Sequence, residues 1–245
     1  MATHLARNFQ DSGHSIRCIY SRSRSSSENL AALLGVRGTS VKDEVPPEAD
    51  FFIVAVPDNA VRDFTSFAEK RRGIWLHTAG ALPLETLLGT GPDFGVLYPL
   101  QTLSRERTFH MNDTPFLIEG SSPEVTQRIR SLALSVSGSV RETDSPTRLV
   151  IHLAAVFANN FSNHMVHIAD QIMRSKNLDP ALMIPILRET FGKLTELGPE
   201  AAQTGPARRM DHDTMQKHLD LLKDYPEWEK LYTFISRDIS RTREE

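Results

Sequence analysis

Residues 51–56 read Phe-Phe-Ile-Val-Ala-Val, an unbroken apolar run between charged and turn-forming neighbours. A strand shows its side chains alternately to two faces, so a run without alternation needs cover on both, as in a sheet between helical layers. The run therefore predicts an α/β sheet with a strand over Asp50–Val56 at its centre. Further β-rich runs at Ser15–Tyr20, Gly73–His77, Gly95–Tyr98, Pro115–Glu119 and Ser135–Arg141 alternate with helical stretches at Ala2–Asp11, Leu30–Leu34, Asn59–Lys70 and Pro123–Leu134, the rhythm of a parallel sheet. Ser121 or Ser122 is placed to cap the helix that Pro123 opens. Beyond Asp144-Ser145-Pro146 only helical periodicity remains, predicting helices over Pro146–Ser175, Pro180–Leu197, Asp213–Leu222 and Glu227–Arg241. The expected organisation is an α/β domain over residues 1–145 and an all-α domain over 146–245.

The opening stretch, MATHLARNFQDSGHSIRCIYSRS, fits the second half of a Rossmann dinucleotide motif. In that motif a strand runs into G-x-G-x-x-G/A, the pyrophosphate rests on the next helix, and a second strand ends about 20 residues on, beside the adenosine ribose. With Ala2 as the last motif position, Ala2 and Thr3 fall at the pyrophosphate and Ser21, Arg22 and Ser23 at the ribose. A carboxylate there would select NAD, whereas hydroxyls and a guanidinium suit the 2′-phosphate of NADP. A solvated polar turn accounts for SRSRSSS equally well. The first strand and glycine loop are missing from the sequence. Their loss would remove a central strand, so the chain is expected to be less stable, and to bind NADP more weakly, than one extended upstream.

A formal net charge of -3 and a pI near 6.3 leave no broad basic surface, which argues against nucleic acid and anionic membranes as partners. The single cysteine, Cys18, cannot form an internal disulfide, and no apolar run approaches the roughly 18–20 residues that span a bilayer. A soluble protein of the reducing cytoplasm is expected.

The segments HTAG (His77–Gly80), YPLQTLS (Tyr98–Ser104), FLIEG (Phe116–Gly120), HLAAVFANNFSNH (His152–His164) and TGPARRMDHDTMQKHL (Thr204–Leu219) resemble, in order, a bacterial family. It joins a Rossmann-like NADP-binding domain to a helical domain of unknown function, numbered 2520. The resemblance spans essentially the whole chain. Architecturally the family is similar to pyrroline-5-carboxylate reductase and the β-hydroxyacid dehydrogenases, which implies a helical domain that takes part in a homodimer. Members begin G-x-G-N-V-A-T-H-L-A, so Met1 stands where valine is usual. A GTG codon read as a start inside the motif would explain this.

Ligands of open α/β sheets bind beyond the carboxyl ends of the strands. VPDNAV, HTAG and YPLQT fall there, expected to line one cleft between the domains. Val56, Pro57 and Asp58 are placed on the adenosine side of the cofactor, and His77 and Thr78 near the nicotinamide. His77 is a candidate proton donor because imidazole titrates near neutral pH; a histidine merely hydrogen-bonded at a strand end is the alternative. Tyr98 and Gln101 would set a phenol and an amide over the substrate, against the alternative of a rigid turn. Asn160 and His164, like Asn159, Asn163 and His167, form polar stripes at helical spacing. β-Hydroxyacid dehydrogenases carry a catalytic lysine one turn from an asparagine in this region. Here Val156 precedes Asn160 by four residues, leaving His77, His152 or Tyr98 as proton donor and Asn160 as a catalytic candidate. Helix packing explains the asparagines as well. Arg208 and Arg209 suit an anionic substrate, although a loop arginine is more often surface charge. His212 and His218 lack a third partner at metal-ligand spacing, so no metal site is expected.

The combined expectation is an NADP-dependent oxidoreductase passing hydride between nicotinamide and a small carbonyl or imine compound. The alternatives are a dinucleotide-binding sensor without turnover and a helical dimer scaffold whose nucleotide-binding half has decayed.

Overall fold

Helix α1 (Ala2–Asp11) opens the chain and sets Leu5 and Phe9, one turn apart, into the core. In the computed structural model, which describes residues 1–104, 107 and 109–241, two compact units follow one another, Met1–Asn160 and Phe161–Glu245.

In the first unit β1 (Ile19–Tyr20) leads through Ser21–Ser23 into α2 (Arg24–Leu34), and β2 (Gly38–Thr39) pairs parallel to β1. The serine-rich segment is thus not all loop: Arg24–Ser27 form the first turn of α2. Ser23 Oγ accepts the Ser26 amide, and Gly35 ends the helix in the left-handed region at φ 66°. β3 (Glu48–Val54), β4 (Arg72–His77), β5 (Phe94–Pro99), β6 (Phe116–Gly120) and β7 (Val140–Glu142) form a separate five-stranded sheet in that order. Pairing is parallel throughout except between β5 and β6.

β3 is the end strand of this sheet, not its centre. The apolar run correctly reports two covered faces: Phe51 and Ile53 pack into one core cluster, Phe52 and Val54 into the other. It says nothing about which edge is hydrogen-bonded. β1 and β3 each keep one edge without a strand partner among the described residues. The first core lies between the sheet and helices α1 and α4 (Pro123–Leu134), joining Leu5, Phe9, Ile74, Leu76, Leu97, Ile118 and Ile129. The second, on the opposite face, gathers Trp75, Val61, Phe67 and Leu87. Val61, Phe64 and Phe67 recur every third residue. Accordingly, Asp58–Phe64 is a 3-10 helix and only Thr65–Ala68 (α3) is α-helical, where the sequence predicts one helix over 59–70. Ser122 caps α4 through the Val125 amide.

Helix α5 (Ser145–Ala155), capped by Asp144 through the Thr147 amide, closes the first unit. The expected long helix is continuous but not wholly α-helical: Val156–Phe161 is a π-helical segment, and α6 (Ser162–Ser175) resumes beyond it. The second unit continues with α7 (Ile184–Leu197), α8 (Pro199–Ala202), α9 (Pro206–Arg209), α10 (His212–Leu222) and α11 (Pro226–Arg241). Asp211 caps α10, His218 Nδ1 lies 2.9 Å from the Tyr232 hydroxyl on α11, and Ser240 Oγ donates to the Ala207 carbonyl.

Candidate functional site

The parallel ladder sets Val54 beside His77 and His77 beside Val96, so β3 and β4 end together while β5 runs on to Pro99. Within the first unit the segments after β4 and β5 meet, and the charge of Asp58 in the segment after β3 reaches Tyr98. Tyr98, near the end of β5, is 8% exposed. Its hydroxyl lies 3.1 Å from Nδ1 of half-buried His152 on α5, and the rings meet edge to face at 5.9 Å. Gly80, in the segment after β4, lies against both. A Cβ there would fall 2.7 Å from His152 Nδ1 and 2.8 Å from Tyr98 Cζ. Burial raises the Tyr98 pKa above its ordinary value, and the charge of Asp58, after β3, adds to the shift. Tyr98 therefore holds its proton at neutral pH.

An ion pair holds this corner in place. Arg148 on α5 is fully buried and pairs through Nη1 with Glu119 on β6. Its Nη2 donates to the Leu82 carbonyl at 2.6 Å and to Ser145 Oγ at 3.1 Å. Glu119 also accepts the Ser145 amide and hydroxyl, and Ser145 Oγ accepts the Leu84 amide at 2.9 Å. The segment from Ala79 to Leu84 is thereby fastened to the start of α5, one turn before His152.

His77 does not meet the expectation of an imidazole titrating near neutral pH. It is fully buried and its Nδ1 accepts the Ala79 amide at 3.2 Å, which leaves the proton on Nε2, an atom without a hydrogen-bond partner. Burial first, and the Arg148 charge second, lower its pKa to about 4, with the Pro83 carbonyl acting weakly in the other direction. His77 is therefore neutral at pH 7. Thr78 beside it is buried as well.

Directly after β1, Ser21 Oγ accepts the Ser23 amide, Ser23 Oγ lies 3.0 Å from Ser25 Oγ, and exposed Arg22 is 3.6 Å from Asp63. These hydroxyls, with a loosely held guanidinium at the start of α2, are donors that fit a phosphate. Ala2 and Thr3 form the start of α1, where no side chain caps the helix and no acidic residue occupies the first turn; an anionic diphosphate suits such an end. Val56 packs against the second core cluster, while Pro57 and Asp58 are exposed at the start of the 3-10 helix.

Gln101 is exposed, its side-chain oxygen accepting the Thr102 amide. Asn159 and Asn160 are exposed on the π-helical segment. His164 is exposed on α6, with its ring 6.0 Å from that of His167. Arg208 is half-buried and Arg209 exposed on the short turn α9, which Met210 ends at φ 56°. Sequence reasoning missed Gly80, Arg148 and Glu119. An arginine inside the apolar SPTRLVIHLAA helix was a signal for a buried pair. Among the described residues no group of three metal-ligating side chains converges, and no helix is long and apolar enough to cross a membrane.

A mostly parallel sheet with helices on both faces, loops at its carboxyl ends and a helical continuation define a Rossmann-like protein. Residues 114–239 match the family model of the domain of unknown function 2520, and residues 1–74 match that of "NADP oxidoreductase coenzyme F420-dependent". The chain belongs to the domain 2520 family, of NADP-dependent oxidoreductase type. It is similar to a Bacteroides fragilis structure provisionally described as an NADP oxidoreductase, with 37% identity and TM-score 0.93, covering 98% of this chain and 94% of that one. An imine reductase from Myxococcus stipitatus in complex with NADP+ shares the fold at 16% identity and TM-score 0.63, covering 100% and 90%. So does a 1-pyrroline-5-carboxylate reductase from Streptococcus pyogenes, at 13% identity and TM-score 0.62, covering 98% and 95%. No curated protein matches the chain.

Proposed function

We propose that the protein is an NADP-dependent oxidoreductase that reduces a small, anionic carbonyl or imine compound at the carboxyl ends of β3, β4 and β5. The observation that carries the reading is Tyr98: a phenol held protonated at the strand ends, where the segments after β4 and β5 meet. When bound, NADPH supplies a hydride, which leaves the protein to position the substrate and deliver a proton. Ser21, Arg22 and Ser23 hold the 2′-phosphate, and the start of α1 faces the diphosphate. Thr78 lines the buried side of the site and Gln101 its exposed rim. The activities of the imine reductase and the pyrroline carboxylate reductase support a C=N or C=O substrate. Arg208 and Arg209 are the anion-binding groups proposed for the second unit, with Asn160 and His164 as its polar contacts. A homodimer is supported by the apolar side chains that α5 and the π-helical segment leave exposed, Val150 at 67% and Phe157 at 63% among them. One free thiol, Cys18, is compatible with the cytoplasm.

The test combines a fluorescence titration with NADPH and a screen of NADPH oxidation against keto acids and cyclic imines. Turnover is expected, with kcat lowered about 100-fold in Tyr98→Phe and NADPH affinity unchanged. Tight NADPH binding without turnover of any compound would instead identify a dinucleotide sensor.

A further inference from the structure

Tyr98 faces inward: little of it reaches solvent, and once its proton is given away it must be restored from somewhere. Its hydroxyl has a neighbour suited to that task in His152 Nδ1, at 3.1 Å, on a ring that is only half-buried. Two independent features hold the pair together. The Arg148–Glu119 ion pair, with Leu82 and Ser145, fixes the segment after β4 to the turn of α5 that precedes His152. Gly80 then supplies clearance, because any Cβ at that position would enter the space where the two rings meet.

We infer that Tyr98 and His152 work as one proton-delivery pair, with Gly80 a positioning residue that must lack a side chain for the pair to form. This rests on the oxidoreductase reading and adds to it the route of the proton. As the substrate carbon accepts hydride, the C=O or C=N π pair moves onto the heteroatom, which takes the Tyr98 O–H proton. The resulting phenolate takes the proton on His152 Nδ1 while a solvent proton enters at Nε2, and exchange of the ring proton from Nε2 back to Nδ1 through solvent then restores the starting tautomer. Net, one hydride and one solvent proton are added to the substrate. The charged groups around the pair are Asp58, whose field reaches Tyr98 from beyond β3, and Arg148, one turn before His152 and neutralised by Glu119.

Gly80→Ala tests this in the full-length chain, because it leaves both side chains present and drives them apart. The first readout needs no substrate: the carbon-13 ring signal of Tyr98, assigned by its loss in Tyr98→Phe, is followed against pH. In the wild type it is expected to change with pH through its contact with His152, a change absent from Gly80→Ala and from His152→Phe. The second readout is kcat on an accepted substrate. Gly80→Ala and His152→Phe are each expected to lower it 10- to 100-fold with KM and NADPH affinity changed less than threefold, and His152→Phe is expected to add nothing in a Tyr98→Phe background. A wild-type Tyr98 signal indifferent to His152, or wild-type kcat in Gly80→Ala alongside a strong loss in Tyr98→Phe, overturns the pair while leaving the oxidoreductase reading standing. A Tyr98 signal that changes through His152, without turnover of any compound, overturns the oxidoreductase reading instead.

Discussion

Replacing Glu119 by glutamine would keep the shape of the side chain and remove its charge, leaving the Arg148 guanidinium with no counter-ion. Arg148 has no exposure, and the Glu119 side chain only 17%. Removing one partner of a buried pair costs about 3–5 kcal/mol, because the remaining charge stays desolvated. Glutamine can still accept one of the hydrogen bonds, and Glu119 is partly solvated, so the lower end applies, about 3 kcal/mol. That is a large part of a total near 5–15 kcal/mol. In a unit of this size it corresponds to a fall of about 6–12 °C in Tm. Urea unfolding followed by Trp75 fluorescence, in a Trp228→Phe background that silences the other tryptophan, measures it on the unit concerned. The double variant Glu119→Leu/Arg148→Met removes both charges and is expected to cost at least about 2 kcal/mol less than the sum of the single changes. A loss under about 1 kcal/mol in Glu119→Gln, or additive single changes, would refute the claim that this pair locks the corner.

His77 has a folded pKa of about 4, below the ordinary 6.5. The stability it provides is intact above pH 6.5 and is lost as the pH falls towards 4, by up to about 3 kcal/mol; the stability gap between wild type and His77→Gln should narrow accordingly, and a gap constant with pH would exclude this. Ser122→Ala removes the cap of α4 and should cost about 1 kcal/mol in urea unfolding. Arg22→Ala should weaken NADPH binding roughly tenfold while leaving NADH binding unchanged, since the guanidinium is assigned to the 2′-phosphate; equal losses for both would reject that assignment. Leu153→Asp with Phe157→Asp, both on the exposed apolar face of the first unit, should yield monomers in sedimentation equilibrium if that face joins two copies.

The strands and helices were legible where one period dominated. Leu5 and Phe9, or Val125, Ile129 and Leu132, are spaced as their burial requires. The failures lie where a second interaction decides. A Ser-rich stretch becomes helix because Ser23 caps it, 59–64 tightens to a 3-10 helix because its apolar residues recur in threes, and β3 ends a sheet because pairing leaves no trace in hydropathy. At the site, sequence identified Tyr98 as a candidate and weighed His152, but their meeting depends on a contact 54 residues apart in the chain. The lowered pKa of His77 comes first from desolvation by packing, which the strand-end position alone does not reveal. Gly80 was visible as a letter in HTAG, but its purpose is defined only by what a Cβ would strike.

The division of the sheet governs how the first unit comes apart. Among the described residues no backbone ladder joins β1–β2 and α2 to the remaining strands; they are held by side chains such as Tyr20 against Phe64 and Phe67, and Gln10 against the Leu34 carbonyl. Such a lobe can open as a cooperative unit of its own while β4 to β6 stay closed, so the amides of Ile19 and Ser21 should exchange with solvent well before those of Leu76 and Ile118. A dinucleotide gripped by both parts would tie their openings together, and slowing of exchange at Ile19 by NADPH would then measure how far the cofactor itself completes the fold.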